Sequence, residues 1–150
     1  PDAQVVGPVT LENYELLFRR GGFATIAPKE GETVTGLLWS ITRECEQSLD
    51  RYEGYPRFYD KRMVTVRDSE GRSLSTMVYV MDERFREPML PSDSYYHGIL
   101  EGFRQNGMPT EPLKQAWEHC VQEVHQETER INAIFSDRPK PPKRRGGHER

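Results

Sequence analysis

The apolar positions divide the chain into a strand-like first half and a helical second half. Val5, Val6, Val9 and the run Tyr14-Glu15-Leu16-Leu17-Phe18 carry β-branched and aromatic residues, broken by Gly7-Pro8. Gly21-Gly22 marks a turn or a close backbone approach. Residues 23–27 predict a short strand, ended by Pro28 and a turn around Glu30-Gly31. Residues 34–41 form a nearly unbroken apolar run, the pattern of a strand buried on both faces.

A helix follows. Thr42 is an N-cap, Glu44 and Glu46 sit in the first turn where the helix dipole favours negative charge, and Gly54 closes a helix running to about Tyr52. Residues 59–67 alternate, Asp68-Ser69-Glu70-Gly71 is a hairpin loop, and residues 74–81 are the return strand of an antiparallel pair. Residues 87–91 form a loop punctuated by proline. Residues 92–105 predict a helix closed by Asn106-Gly107. Thr110 caps a longer helix with Glu111 and Pro112 in its first turn. Its residues Leu113, Trp117, Cys120, Val121, Val124, Thr128, Ile131 and Phe135 recur at threes and fours, so one stripe faces the body. Residues 137–150 are basic and proline-rich, with nothing to bury, and predict a disordered tail.

At 150 residues the chain fits one domain. Net charge is −3, which gives no reason for a nucleic-acid or anionic-membrane surface, and the cluster Lys140, Lys143, Arg144 and Arg145 reads as a solvated tail. Cys45 and Cys120 belong to no Cys-x-x-Cys pair and read as free thiols in a reducing compartment. No apolar run reaches membrane-spanning length and no leader is recognisable, so the default expectation is a cytoplasmic protein with no membrane association. His119, Cys120 and His125 do not share a helix face with a fourth ligand, so no metal is expected. Gly21-Gly22 is followed by no Lys-Ser/Thr, and no Gly-x-Ser-x-Gly elbow occurs.

One order of segments is specific. Gly22-Phe23-Ala24-Thr25-Ile26-Ala27-Pro28 is followed by Val34-Thr35-Gly36-Leu37-Leu38-Trp39, then Leu49-Asp50-Arg51-Tyr52-Glu53-Gly54. Tyr59 with Arg62, Val64 and Val66 comes next, then Val78-Tyr79-Val80-Met81. Pro91-Ser92-Asp93-Ser94-Tyr95 leads to Asn106-Gly107-Met108-Pro109. Up to about Pro109 this order resembles the γ-glutamylcyclotransferase and AIG2-like family.

The resemblance implies an α+β fold: a strongly curved, mostly antiparallel sheet forming a barrel, with helices outside it. Here a long extra helix follows, giving a family domain over 1–109, a C-terminal helix over 110–136 and the tail over 137–150. The implied activity releases an amine from a γ-glutamyl compound and leaves 5-oxoproline, with no cofactor. The family's acid/base glutamate falls on Glu53, and its position at the negative end of a helix raises its pKa. Tyr95, Tyr79 and Tyr59 fall on substrate-binding positions. The family also opens with a strand ending in a Tyr-Gly-Ser-Asn-like loop, whose backbone N–H groups hold the substrate carboxylate. No Tyr-Gly-Ser stretch occurs here, so two readings stay open: a cyclotransferase acting through Glu53, and a non-catalytic domain that binds a small ligand or a partner on the same fold. A homodimer through the last helix is a further possibility.

Overall fold

A computed structural model of the chain describes residues 3–136. Its elements are β1 (Gln4–Arg19), a single 3-10 turn (Arg20–Gly22), β2 (Phe23–Ser40), α1 (Arg43–Glu53), β3 (Tyr59–Arg67), β4 (Ser73–Met81), α2 (Asp93–Gln105) and α3 (Glu111–Ser136). The basic tail lies outside the described residues.

The breaks expected in the first half are bulges within two long strands. β1 pairs antiparallel with β2 from Gln4–Ser40 to Arg19–Phe23, with register shifts between Val5 and Gly7 and between Glu12 and Tyr14. At the second shift residues 29–32 leave the ladder opposite Asn13, which adopts φ 64° and accepts the Gly31 N–H at 3.0 Å. Long pairing on both sides absorbs such an irregularity without ending the strand. The glycine pair serves both expected purposes. Gly21 and Gly22 turn the hairpin at φ 76°, and a Cβ on Gly22 would stand 2.5 Å from the Leu90 carbonyl oxygen.

The sheet order is β2-β1-β3-β4, with β3 and β4 paired along their full length. β1 meets β3 at one residue pair, Thr10–Arg67. The expected barrel is therefore an open sheet. A barrel needs a continuous ladder around its circumference, and β1 and β3 part after that single pair. The sheet is still curved, because the Met81 N–H at the end of β4 donates to Thr25 Oγ1 near the start of β2, at 2.9 Å. A second correction concerns residues 34–41. β2 is an edge strand whose residues 34–38 are half-buried while Trp39 and Ser40 are exposed, so its apolar run is not buried on both faces.

Two apolar clusters form. Val9, Leu11, Val64 and Val66 fill the concave side of the sheet. Phe18, Leu113, Ala116 and Cys120 join the sheet to α3, with Tyr95, Ile99 and Phe103 of α2 packed against them. The stripe on α3 docks through its first half alone. Ile131 and Phe135 are exposed, because the helix runs on past the sheet it packs against, and Trp117 and Val121, within the docked half, are exposed as well. Arg19 pins the docked half with two bonds of 3.0 Å to Glu123.

Leu113 has no exposed surface, so Leu113→Ala is expected to destabilise the fold by about 2–5 kcal/mol in urea unfolding. A loss under about 1 kcal/mol would mean that α3 does not share this core.

Candidate active site

The site begins with how α1 starts and stops. Thr42 Oγ1 accepts the Cys45 N–H at 3.1 Å, and Glu44 and Glu46 occupy the first turn as expected. Gly54 adopts the left-handed conformation, φ 69° and ψ 36°, which ends the helix immediately after Glu53. The Tyr55 N–H returns to the Asp50 carbonyl at 2.9 Å and the Phe58 N–H to the Gly54 carbonyl at 2.8 Å, turning the chain into β3.

Glu46, Asp50 and Glu53 follow at spacings of four and three, so they share one face of α1. Tyr59 and Lys61 are alternate residues of β3 and share a face of the strand. Lys61 Nζ stands 2.5 Å from Glu46 and 2.8 Å from Asp50. Tyr79, paired with Lys61 on β4, donates its hydroxyl to Asp50 at 2.5 Å. Hydrogen bonds from Lys61 and then Tyr79 hold the Asp50 carboxyl below the usual carboxylate range.

Glu53 differs from its two neighbours on that face. Among the described residues its carboxylate makes no ion pair and no hydrogen bond. Burial pushes its carboxyl above the usual glutamate range. Two phenols feel its charge. The Tyr59 hydroxyl is raised by burial first, then by Tyr95 and the Glu53 charge. Tyr95 is likewise raised by burial, with the Glu53 charge adding to the rise. The Glu53 charge thus lies within electrostatic reach of Tyr59 and Tyr95.

Both phenols are already engaged. Tyr59 Oη donates to the Ala24 carbonyl at 2.7 Å, and Tyr95 Oη accepts the Ala24 N–H at 3.1 Å. Tyr95 is set in the first turn of α2 by the Ser92 cap. Phe23 packs edge-on against Tyr95 and Phe58, with ring centroids 5.4 and 6.1 Å apart. A carboxylate with raised proton affinity thus stands near aromatic walls, with the Tyr59 hydroxyl donated to Ala24 and the Tyr95 hydroxyl oxygen accepting the Ala24 N–H. Such a group can take a proton from a bound molecule and return it.

Of the four sequence-predicted residues, Glu53, Tyr59 and Tyr95 are assembled, while Tyr79 lies with Asp50 and Lys61. Tyr79 also lines an apolar cavity of about 630 Å³ on the concave side of the sheet, with Val9, Leu11, Val64, Val66 and Ala24. Glu53, Tyr59 and Tyr95 are not among the residues lining it. Sequence reasoning missed Glu46, Asp50 and Lys61. The four-residue spacing of the acids and the lysine two places after Tyr59 were the available signals. No local signal marks Ala24, whose backbone is gripped by residues 35 and 71 positions away. Among the described residues no group of three or more His, Cys, Asp or Glu is arranged to hold a metal ion. No helix there is long and apolar enough to cross a membrane.

The family model described as gamma-glutamyl cyclotransferase, AIG2-like, matches residues 1–97. Over 96 residues the chain is 34% identical to a gamma-glutamylcyclotransferase of Bos taurus, covering 63% of this chain and 50% of that one. It is equally similar, 34% over 92 residues, to a gamma-glutamylcyclotransferase of Homo sapiens, covering 61% and 48%. The chain therefore spans about half the length of the curated relatives it matches. A solved gamma-glutamyl cyclotransferase superposes with TM-score 0.68 at 26% identity, over 77% of this chain and 74% of that one. A solved human protein described as uncharacterized gives the same TM-score at 28% identity and the same coverage.

Tyr59→Phe leaves the half-buried Ala24 carbonyl without its donor. The expected cost is about 1–3 kcal/mol in urea unfolding, and an unchanged midpoint would show that this bond does not hold the start of β2 in solution.

Proposed function

The chain belongs to the gamma-glutamyl cyclotransferase, AIG2-like family, and on that premise we propose that it releases an amine from a γ-glutamyl amide or peptide and forms 5-oxoproline. The observation that carries this reading is the state of Glu53: alone on its helix face it is unpaired, and its proton affinity is raised by burial. We take residues 1–109 as the catalytic unit and α3 as a helix appended to it. The free cysteines Cys45 and Cys120 support a reducing compartment, the cytoplasm, as the place of action.

The substrate carries its own nucleophile. Its α-amine reaches its γ-carbonyl when the chain bends, so the site has to hold the bent conformer and move protons. The α-ammonium, with a reference pKa of about 8, gives one proton to the Glu53 carboxylate. The freed amine forms a bond to the γ-carbon, and the carbonyl π electrons move to oxygen. Glu53 passes the first proton to the departing nitrogen and, a carboxylate again, takes the second from the ring nitrogen. As the tetrahedral intermediate collapses, the carbonyl re-forms, the bond from the γ-carbon to the departing nitrogen breaks, and Glu53 gives the second proton to the released amine, which leaves as an ammonium. No metal or covalent enzyme intermediate is required. Tyr59 and Tyr95, whose hydroxyls are held by Ala24, act through their rings as walls for the bent glutamyl group. Tyr79, bonded to Asp50, supports α1 rather than walling the glutamyl group.

A second reading, a non-catalytic domain that binds a small apolar ligand, is favoured by one observation: the 630 Å³ apolar cavity is not lined by Glu53, Tyr59 or Tyr95. Glu53→Gln separates the two. On the catalytic reading it lowers 5-oxoproline release by about 10²–10⁴-fold while the protein stays folded. The pH dependence follows from the sign of the shift. Glu53 must be ionised to act as base and its carboxyl is raised, so kcat/KM falls with decreasing pH along a limb lying above the ordinary glutamate value. A group whose acid form is favoured by folding opposes folding once ionised, so Glu53→Gln is expected not to lower Tm at neutral pH. Turnover that persists in Glu53→Gln excludes Glu53 as the base.

A further inference from the structure

No residue of α1 is buried. A helix without a buried face is held by its polar contacts and its ends. On the side facing the sheet, those contacts converge on Lys61. Its Nζ reaches Glu46 at 2.5 Å and Asp50 at 2.8 Å and lies 4.5 Å from the centre of the Tyr55 ring, in the turn that follows Glu53. Tyr79 adds the 2.5 Å bond to Asp50. Lys61 and Asp50 are mostly shielded, 20% and 25% exposed, while Glu46 is 40% exposed. Hydrogen bonds to Asp50 and then Glu46 push Lys61 above the ordinary lysine range, so it stays a cation throughout the working pH range.

We propose that Lys61 is the positioning residue of the site, fixing α1 on β3 through Glu46 and Asp50 and neutralising the two carboxylates that share a face with Glu53. The inference rests on the cyclisation reading for its effect on turnover, and on geometry alone for its effect on Glu53. Without the lysine, Glu53 would stand three residues from one bare carboxylate and seven from another, and α1 would lose its main hold on β3. Other ionisable groups near Glu53 include Arg51 and Tyr52 on its own helix, and Tyr59 of β3 and Tyr95 of α2, both of which feel its charge. Burial holds Tyr59 and Tyr95 neutral, so neither phenol adds a charge beside Glu53.

The experiment compares Lys61→Met, Lys61→Arg and Tyr79→Phe in the full chain. It uses steady-state release of 5-oxoproline from a γ-glutamyl amide, together with a carbon-13 NMR titration of the Glu53 carboxyl, assigned by its absence in Glu53→Gln. Lys61→Met is expected to lower kcat by about 10- to 100-fold, the scale of a small misplacement of a reacting group, with little change in KM. It raises the Glu53 midpoint by about 0.5 pH units, as two uncompensated like charges at helix spacing require. Lys61→Arg keeps the cation and restores both quantities most of the way. Tyr79→Phe loosens Asp50 without removing a charge, so kcat falls while the midpoint holds. A folded Lys61→Met protein with unchanged kcat and unchanged midpoint overturns the proposal, as does failure of arginine to rescue. Should Lys61→Met not fold, Tyr79→Phe with wild-type kcat overturns it. If the unaltered chain makes no 5-oxoproline, the titration decides alone. A midpoint that moves in Lys61→Met and returns in Lys61→Arg upholds the role of Lys61 and refutes cyclisation, and a midpoint that does not move refutes both.

Discussion

The backbone of Ala24 is held from two sides, its carbonyl by the Tyr59 hydroxyl of β3 and its N–H by the Tyr95 hydroxyl of α2. Three elements from distant parts of the chain meet at this residue, and the next residue, Thr25, binds the end of β4. The adjoining turn allows the approach, since Gly22 lies against the Leu90 carbonyl and Pro91 where any side chain would collide. Each of these bonds is modest by itself, because folding exchanges bonds to water for bonds within the protein. Together they fix where the hairpin of β1 and β2 meets β3, and so where the aromatic walls stand relative to Glu53.

The second dependency is electrostatic. α1 brings three carboxylates to one face, which in isolation would repel one another. Lys61 resolves two of them and Tyr79 reinforces one, leaving Glu53 with its charge uncompensated in a half-buried setting. The same arrangement that docks the helix therefore sets apart one carboxylate whose proton affinity is raised. General acid–base chemistry requires a group of that kind, able to accept a proton and surrender it near working pH. On the proposed reading a bent γ-glutamyl substrate supplies its own nucleophile, so little else is asked of the side chains.

Much of this was legible from local signals. Thr42, Glu44 and Gly54 marked α1 nearly to the residue, because caps and left-handed glycines act within one turn of chain. The alternation of residues 59–67 and the loop Asp68-Ser69-Glu70-Gly71 marked β3 and β4 for the same reason. The grouping of Glu53 with Tyr95 and Tyr59 came from the resemblance, since nothing local relates residue 53 to residue 95. What escaped was long-range. Gly7-Pro8 and Pro28 read as strand ends because their local preference is strong, yet the pairing of β1 with β2 overrides both. The openness of the sheet depends on β1 and β3 meeting at Thr10–Arg67 alone, and no residue pattern announces where two strands part. The exposed second half of α3 carried the same periodicity as the docked half, because periodicity identifies a face without saying how far its partner extends.

The most direct measurement follows the γ-carbonyl carbon itself. A γ-glutamyl amide labelled with carbon-13 at that carbon is incubated with the chain and followed by NMR. The account predicts that the amide signal is replaced by that of the five-membered lactam, with one equivalent of free amine released. Appearance of the label as the side-chain carboxylate of free glutamate would mean attack by water, and an unchanged amide signal with folded protein would mean no reaction. Either result would contradict the account.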